Sequence, residues 1–159
     1  MKRILAIVVA YALLVTGLWI GSNSVPRVQA QYLAGDPCFG NNVKLSVPIN
    51  VVTATTTQLV ALNATKTIYV CGSFFTVASS ATTVATAQFE YGTGASCGTG
   101  TTALTGAMGT GTATATNDGE DIVIPGDYTS FSIPVGNALC LVTAGTTVSV
   151  QGFVTYIQQ

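Results

Sequence analysis

Lys44 to Val52, KLSVPINVV, alternates apolar and polar side chains: Leu45, Val47, Ile49 and Val51 fall on one side, Lys44, Ser46, Pro48 and Asn50 on the other. Period two over this length reads as a half-buried β-strand. Pro48 has no N–H to give to a ladder, which places the strand at a sheet edge or a bulge. Further along, Ile68, Val70 and Phe74 oppose Tyr69, Cys71 and Phe75 within Thr67 to Val77. With apolar groups on both sides, this strand is expected to be central and covered on each face.

The same reading extends outward. Thr83 to Tyr91 sets Ala87, Phe89 and Tyr91 against Gln88 and Glu90. Gly92 to Gly119, rich in glycine, threonine and alanine, reads as loop tethered at Cys97, with a short helical turn or strand over Ala103 to Met108 and an extended piece over Thr110 to Thr116. Asn117 to Asp121 reads as a turn, Ile122 to Ile124 as a strand stopped by Pro125-Gly126-Asp127, and Tyr128 to Ile133 as a strand ahead of Pro134 and a turn at Gly136-Asn137. Ala138 to Thr143 and Thr146 to Ile157 are expected to form a terminal hairpin through Ala144-Gly145. In its last strand Phe153 and Ile157 fall on the nominal outer face, a contact surface if that face is open.

No segment past residue 30 carries a helical period, and valine and threonine abound between turn signals. Strands of this kind bury their apolar faces in an all-β domain of two packed antiparallel sheets, a β-sandwich of jelly-roll or immunoglobulin-like kind. The boundaries follow from the amino end. Met1-Lys2-Arg3, an apolar run from Ile4 to Ile20, and small residues at Val28 and Ala30 form an export signal over residues 1–30, leaving residues 31–159 as one domain. If the signal is retained instead, the run is an anchor and a membrane becomes a partner.

Composition narrows the function. Of 159 residues 48% are hydrophobic and 7% charged, with no histidine. Past residue 30 two lysines, Lys44 and Lys66, face six acids, a net charge of −4, and arginine is absent. Two lysines cannot build the basic stripe a nucleic acid requires, which excludes that partner. Without histidine, nucleophilic catalysis lacks its usual base, and no motif for an organic cofactor is visible. A glycosidase would need Glu90 to meet Asp127 or Asp121, and no spacing brings them together. The expectation is a protein that is not an enzyme.

All four cysteines, Cys38, Cys71, Cys97 and Cys140, follow the signal. An even number in an exported chain argues for disulfides in an oxidising compartment, and four cysteines allow three pairings. The preferred pairing is Cys38 with Cys71 and Cys97 with Cys140, each closing a loop of a few tens of residues. The chain-entropy account gives each about 3–4 kcal/mol.

Three smaller features complete the candidate sites. Asp118, Glu120 and Asp121 offer hard oxygens for calcium, although their spacing is not that of the twelve-residue calcium loop and Asn-Asp-Gly is ordinary turn chemistry. Asn63-Ala64-Thr65 is a formal glycosylation acceptor at Asn63. Tyr32, Tyr69, Tyr91, Tyr128 and Tyr156 could stack on sugars, but their alternation assigns most of them to the core.

Gln88-Phe89-Glu90-Tyr91-Gly92-Thr93-Gly94, then Cys97, then Thr99 to Ala107 (TGTTALTGA) and Gly136 to Val142 (GNALCLV), make the chain resemble a group of small all-β proteins of unassigned function, secreted or phage-associated. Ile49 to Val51, Thr55 to Ala61 and Gly152 to Tyr156 are similar too. The resemblance implies a compact sandwich and the Cys97–Cys140 bond; it implies no activity. The expected role is a secreted or cell-surface structural protein, a homo-oligomer, coat or fibre subunit. It would associate with itself through Phe153 and Ile157, with Tyr32 and Leu33 near the amino end and uncharged sheet edges adding to the contact. The alternative is a glycan-binding or adhesive module.

Overall fold

A computed structural model describes residues 35–80, 83–110 and 118–159, all within one compact unit spanning Ala34–Gln159. The expected export signal over residues 1–30, the expected contact residues Tyr32 and Leu33, Asn117, and most of the Thr110 to Thr116 piece lie outside the described residues. The described chain is almost wholly antiparallel β-structure: β1 (Leu45–Val51), β2 (Thr56–Val60), β3 (Ile68–Ser79), β4 (Thr86–Thr93), a 3-10 turn (Ala95–Cys97), β5 (Thr99–Ala103), β6 (Met108–Gly109), β7 (Asp118–Ile124), β8 (Phe131–Ile133), β9 (Ala138–Ala144) and β10 (Val148–Gln158).

The strands form two sheets. The first has the order β1-β10-β3-β7, with β8 extending the β7 edge along β3; the second has the order β2-β9-β4-β5, with β6 on β4. From β1 to β4 each successive strand changes sheet, as does β9 to β10. Two interleaved four-stranded sheets wound in this way are a jelly roll, which decides between the two sandwich types that alternation alone left open.

The core lies between the sheets. Ile49, Val150, Val154, Val70, Phe75 and Val77 of the first sheet meet Ala87, Phe89, Leu139 and Leu141 of the second. Phe75 and Phe89 touch edge to face across the layer, with centroids 5.6 Å apart and planes at 88°. That geometry brings a ring edge to a ring face, which favours the pair beyond its buried area.

Four expectations are corrected. β9 and β10 are not a hairpin: they belong to opposite sheets, β9 between β2 and β4 and β10 between β1 and β3. A short connection fixes nearness of two strands but not whether they share a ladder. Gly145 turns the chain between layers at φ 130°, where an added Cβ would lie 2.6 Å from the Val84 carbonyl oxygen.

The stretch from Gly92 to Gly119 is not all loop, since it contains β5, β6 and the start of β7. β5 is exposed at all five positions. It therefore has no apolar alternation to reveal it; its ladder to β4 and a bond from the Thr93 hydroxyl to the Thr99 carbonyl oxygen hold it.

In β3 the pairing with β10 passes from Thr155–Gly72 to Tyr156–Val70, leaving Cys71 as a bulge. The extra residue inverts the alternation. Ile68 and Val70 point inward together with Phe75 and Val77, while Phe74 points outward. β3 is central, but it is covered on both faces only at its Tyr69–Cys71 end.

Finally, Asp118 to Asp121 are not in a turn. They belong to β7, paired with Ser79, Ala78, Val77 and Thr76.

Both disulfides join the cysteines as preferred, Cys38 with Cys71 and Cys97 with Cys140, and no cysteine is free. Each fastens a segment onto the outer face of one sheet. Cys97 and the 3-10 turn sit against Ala138 and Cys140 on the second sheet; Cys38 sits against Cys71, Tyr69 and Ile157 on the first.

Candidate assembly surface

On the outer face of the first sheet one rung crosses all four strands. Pro48 of β1 pairs with Phe153 of β10, Phe153 with Phe74 of β3, and Phe74 with Val123 of β7. Every member is apolar and open to solvent: Pro48 is exposed, and Phe153, Phe74 and Val123 retain 44%, 42% and 65% of their accessible surface. The two phenyl rings lie 6.4 Å apart, tilted by 37°. Cross-strand aromatic neighbours at this distance stabilise the sheet and at the same time make one continuous apolar ridge.

The ridge is bounded toward the β1 start. Lys44 precedes β1 at one edge, and Gly126 follows β7 at the other; the Lys44 ammonium donates to the Gly126 carbonyl oxygen at 2.7 Å. The Pro125-Gly126 loop lies directly on β3, since a Cβ on Gly72 would come within 2.6 Å of the Gly126 Cα. Lys44, Gly72, Pro125 and Gly126 thus wall one side of a shallow groove whose other side is Phe74, Val123 and Phe153.

Beyond that wall the same sheet face is covered. Ile157 pairs with Tyr69, but Cys38 lies over them and Ile157 is only 6% exposed. Ile157 is therefore not available as a contact residue in this state, which corrects its placement beside Phe153. The covering segment is held at three points. Besides the disulfide, the Asp36 carboxylate accepts hydrogen bonds from the Thr129 hydroxyl at 2.7 Å, the Thr129 N–H at 3.0 Å and the Cys38 N–H at 2.8 Å. The Phe39 and Tyr128 rings stack in parallel, 5.8 Å apart and 2° from coplanar. Partial burial alone would raise the Asp36 pKa, but the bonds from Thr129, Cys38 and Phe39 outweigh it and hold the carboxyl below its ordinary value.

The remaining candidates are not drawn together. Glu120 and Asp121 are successive residues of one strand and so point to opposite sides. Asp121 accepts from the Thr76 hydroxyl, and Asp118 stands opposite Ser79 in the ladder. Among the described residues no three potential metal ligands cluster. Glu90 lies in the second sheet, in register with Cys140, where burial pushes its carboxyl above the ordinary value. Asp121 and Asp127 belong to β7 of the first sheet and the loop after it, so no carboxylate pair forms with Glu90.

Asn63 sits between β2 and β3, its side-chain oxygen accepting from the Thr65 N–H at 2.9 Å and the Thr65 hydroxyl at 3.1 Å, an Asx turn. Tyr91 and Tyr156 pack against the main core and Tyr69 against the Cys38 cluster. Tyr128 is exposed but has one face on Phe39.

Sequence reasoning found Phe153 and missed Phe74 and Val123. The Cys71 bulge hid the first. The second sits in Ile122-Val123-Ile124, where an unbroken apolar run does not say which side faces out.

No protein-family model matches the chain, and no curated protein does. Among solved structures it is similar to a chain of the T13 viral particle of IBDV, an icosahedral virus, with a TM-score of 0.37 and 16% identity. The match covers 72% of this chain and 30% of that one, so this chain spans under a third of its neighbour's length.

Proposed function

We propose that the protein is an exported, non-enzymatic structural subunit that associates with copies of itself through the outer face of the first sheet. The observation that carries this reading is the in-register ridge of Pro48, Phe153, Phe74 and Val123 left open to water. A soluble monomer ordinarily breaks such a face with charge. Here the outward neighbours along β10 are Ser149, Gln151 and Thr155 and along β3 Thr76 and Ala78; the carboxylate on this face, Asp121, sits on the outer strand β7, where it accepts from the Thr76 hydroxyl. Two disulfides support an oxidising, extracellular setting.

The outer face of a four-stranded sheet seven residues long measures about 19 by 23 Å at the usual spacings. That plan area, about 440 Å², is about half of the roughly 800 Å² per partner of a standard interface, the size of a weak or transient contact. A second copy laid on this face would cover the ridge completely. The glycan-binding alternative lacks a comparable observation, because among the described residues the exposed tyrosine, Tyr128, is already stacked on Phe39.

Sedimentation of the oxidised protein across a concentration series tests the reading. Association that disappears in Phe74→Glu with Phe153→Glu, without loss of the folded signal, is the expected result. A wild-type protein that stays monomeric at the highest soluble concentration overturns it.

A further inference from the structure

We propose that the segment Asp36 to Phe39 is an autoinhibitory strap: past the Lys44–Gly126 wall the same sheet face carries a second apolar patch at Tyr69 and Ile157, and the Cys38–Cys71 bond keeps that patch closed to a second copy. The proposal rests on the reading of this face as a self-association surface and adds its regulation.

Three observations carry it. Ile157–Tyr69 and Phe153–Phe74 are rungs of the same β10–β3 ladder on the same side of the sheet, separated by the Thr155–Gly72 rung and the Lys44–Gly126 bond. Removing the cover would therefore open a second apolar patch on the same side of the sheet, across the Lys44–Gly126 wall from the first. Cys38, Cys71, Ile157 and Tyr69 also form an apolar cluster separate from the main core, so the sandwich does not need the strap to close. And the strap precedes β1, so lifting it breaks no strand pairing.

Among the described residues, what holds the strap once the sulfur bond is gone is the Asp36 carboxylate with its hydrogen bonds, the Phe39–Tyr128 ring pair and the packing of residue 38 on Tyr69 and Ile157. A short segment outside every strand ladder opens at lower free energy than the core. Chemically the lock is a two-electron device: a dithiol that passes two electrons and two protons to the Cys38–Cys71 bond yields two thiols and itself closes to a cyclic disulfide.

The test compares association of the wild type, Cys38→Ser with Cys71→Ser, and the control Cys97→Ser with Cys140→Ser by analytical ultracentrifugation. The strap variant should associate at least tenfold more tightly than the wild type. Adding Ile157→Asp to it should return the affinity to the wild-type level, and the Cys97/Cys140 control should not tighten. Should the strap variant fail to fold, mild dithiol treatment of the wild type, with alkylation mapped to Cys38 and Cys71, supplies the open state for the same comparison. No tightening on opening, or equal tightening in the control, overturns the strap. Phe74→Glu with Phe153→Glu in the closed protein reports on the face itself, so failure of the face and failure of the strap give different patterns.

Discussion

Gly152 lies in the middle of β10, opposite Ile49 on one side and Phe75 on the other. Replacing it with alanine would set a Cβ 2.1 Å from the Phe74 carbonyl oxygen, 2.5 Å from the Phe75 Cα and 2.6 Å from the Phe75 Cβ. Two of these three atoms are backbone of the central strand, and none is the end of a flexible side chain. The residue also sits at φ 157°, which an L side chain rarely adopts.

To gain about 1 Å, β10 must draw away from β3 or β3 must bend. Either motion weakens the ladder bonds flanking the site, each worth about 1 kcal/mol. It also disturbs the packing of Phe75 against Phe89, where overpacking typically costs about 1–3 kcal/mol. The expected loss for Gly152→Ala is about 3 kcal/mol or more, a large share of the roughly 5–15 kcal/mol that holds a domain together. Urea unfolding of the oxidised protein measures it as a lower midpoint at unchanged slope. A loss below about 1 kcal/mol at the same slope would refute the reasoning, because the close approach of β10 to β3 would then be yielding instead of rigid.

Four further outcomes are expected. Phe75→Ala should cost about 3–5 kcal/mol by leaving the Phe89 edge facing a void, read as a shift in the denaturation midpoint. Ser73 is buried, and its hydroxyl has no hydrogen-bond partner in the structure, so Ser73→Ala should be neutral or stabilise by about 1 kcal/mol in the same assay. With sequence separations of 33 and 43, the Cys38–Cys71 and Cys97–Cys140 bonds should each contribute about 4 kcal/mol in the chain-entropy account, so the two double-serine variants should lose similar stability.

The acid dependence has two opposing parts. Asp36 is held below its ordinary value of 3.8, so its contribution is full above that pH and fades as pH falls through the lower folded value; Asp36→Asn should flatten that acid limb. Glu90 is raised above 4.5 by burial, so folding favours its protonated form. The stability this adds is present below pH 4.5 and is lost as pH rises through the folded value, and Glu90→Gln should modestly stabilise the protein near neutrality. Melting temperature against pH for each variant checks both signs.

Much of the sandwich was legible in local patterning. Lys44 to Val52 reads as a half-buried strand from its alternation, with Pro48 placing it at an edge or a bulge, and β1 forms an edge; Ala87 and Phe89 face the core as their spacing requires. Such strands announce themselves because one face is buried and the other wet, a period-two signal carried within a few residues. β5 gave no such signal, because Thr99 to Ala103 are exposed on both sides.

The chain's own residues therefore determined the all-β class, the poverty of ionisable groups and an even set of cysteines, since each depends only on composition and near-neighbour spacing. Tertiary structure alone decided that β9 and β10 part to opposite sheets, that the Cys71 bulge turns Phe74 outward to meet Phe153, and that Cys38 closes over Ile157. The physical reason is the same in all three: which partner strand supplies the ladder, and where one extra residue shifts its register, depends on contacts between residues far apart in sequence, which no local period encodes.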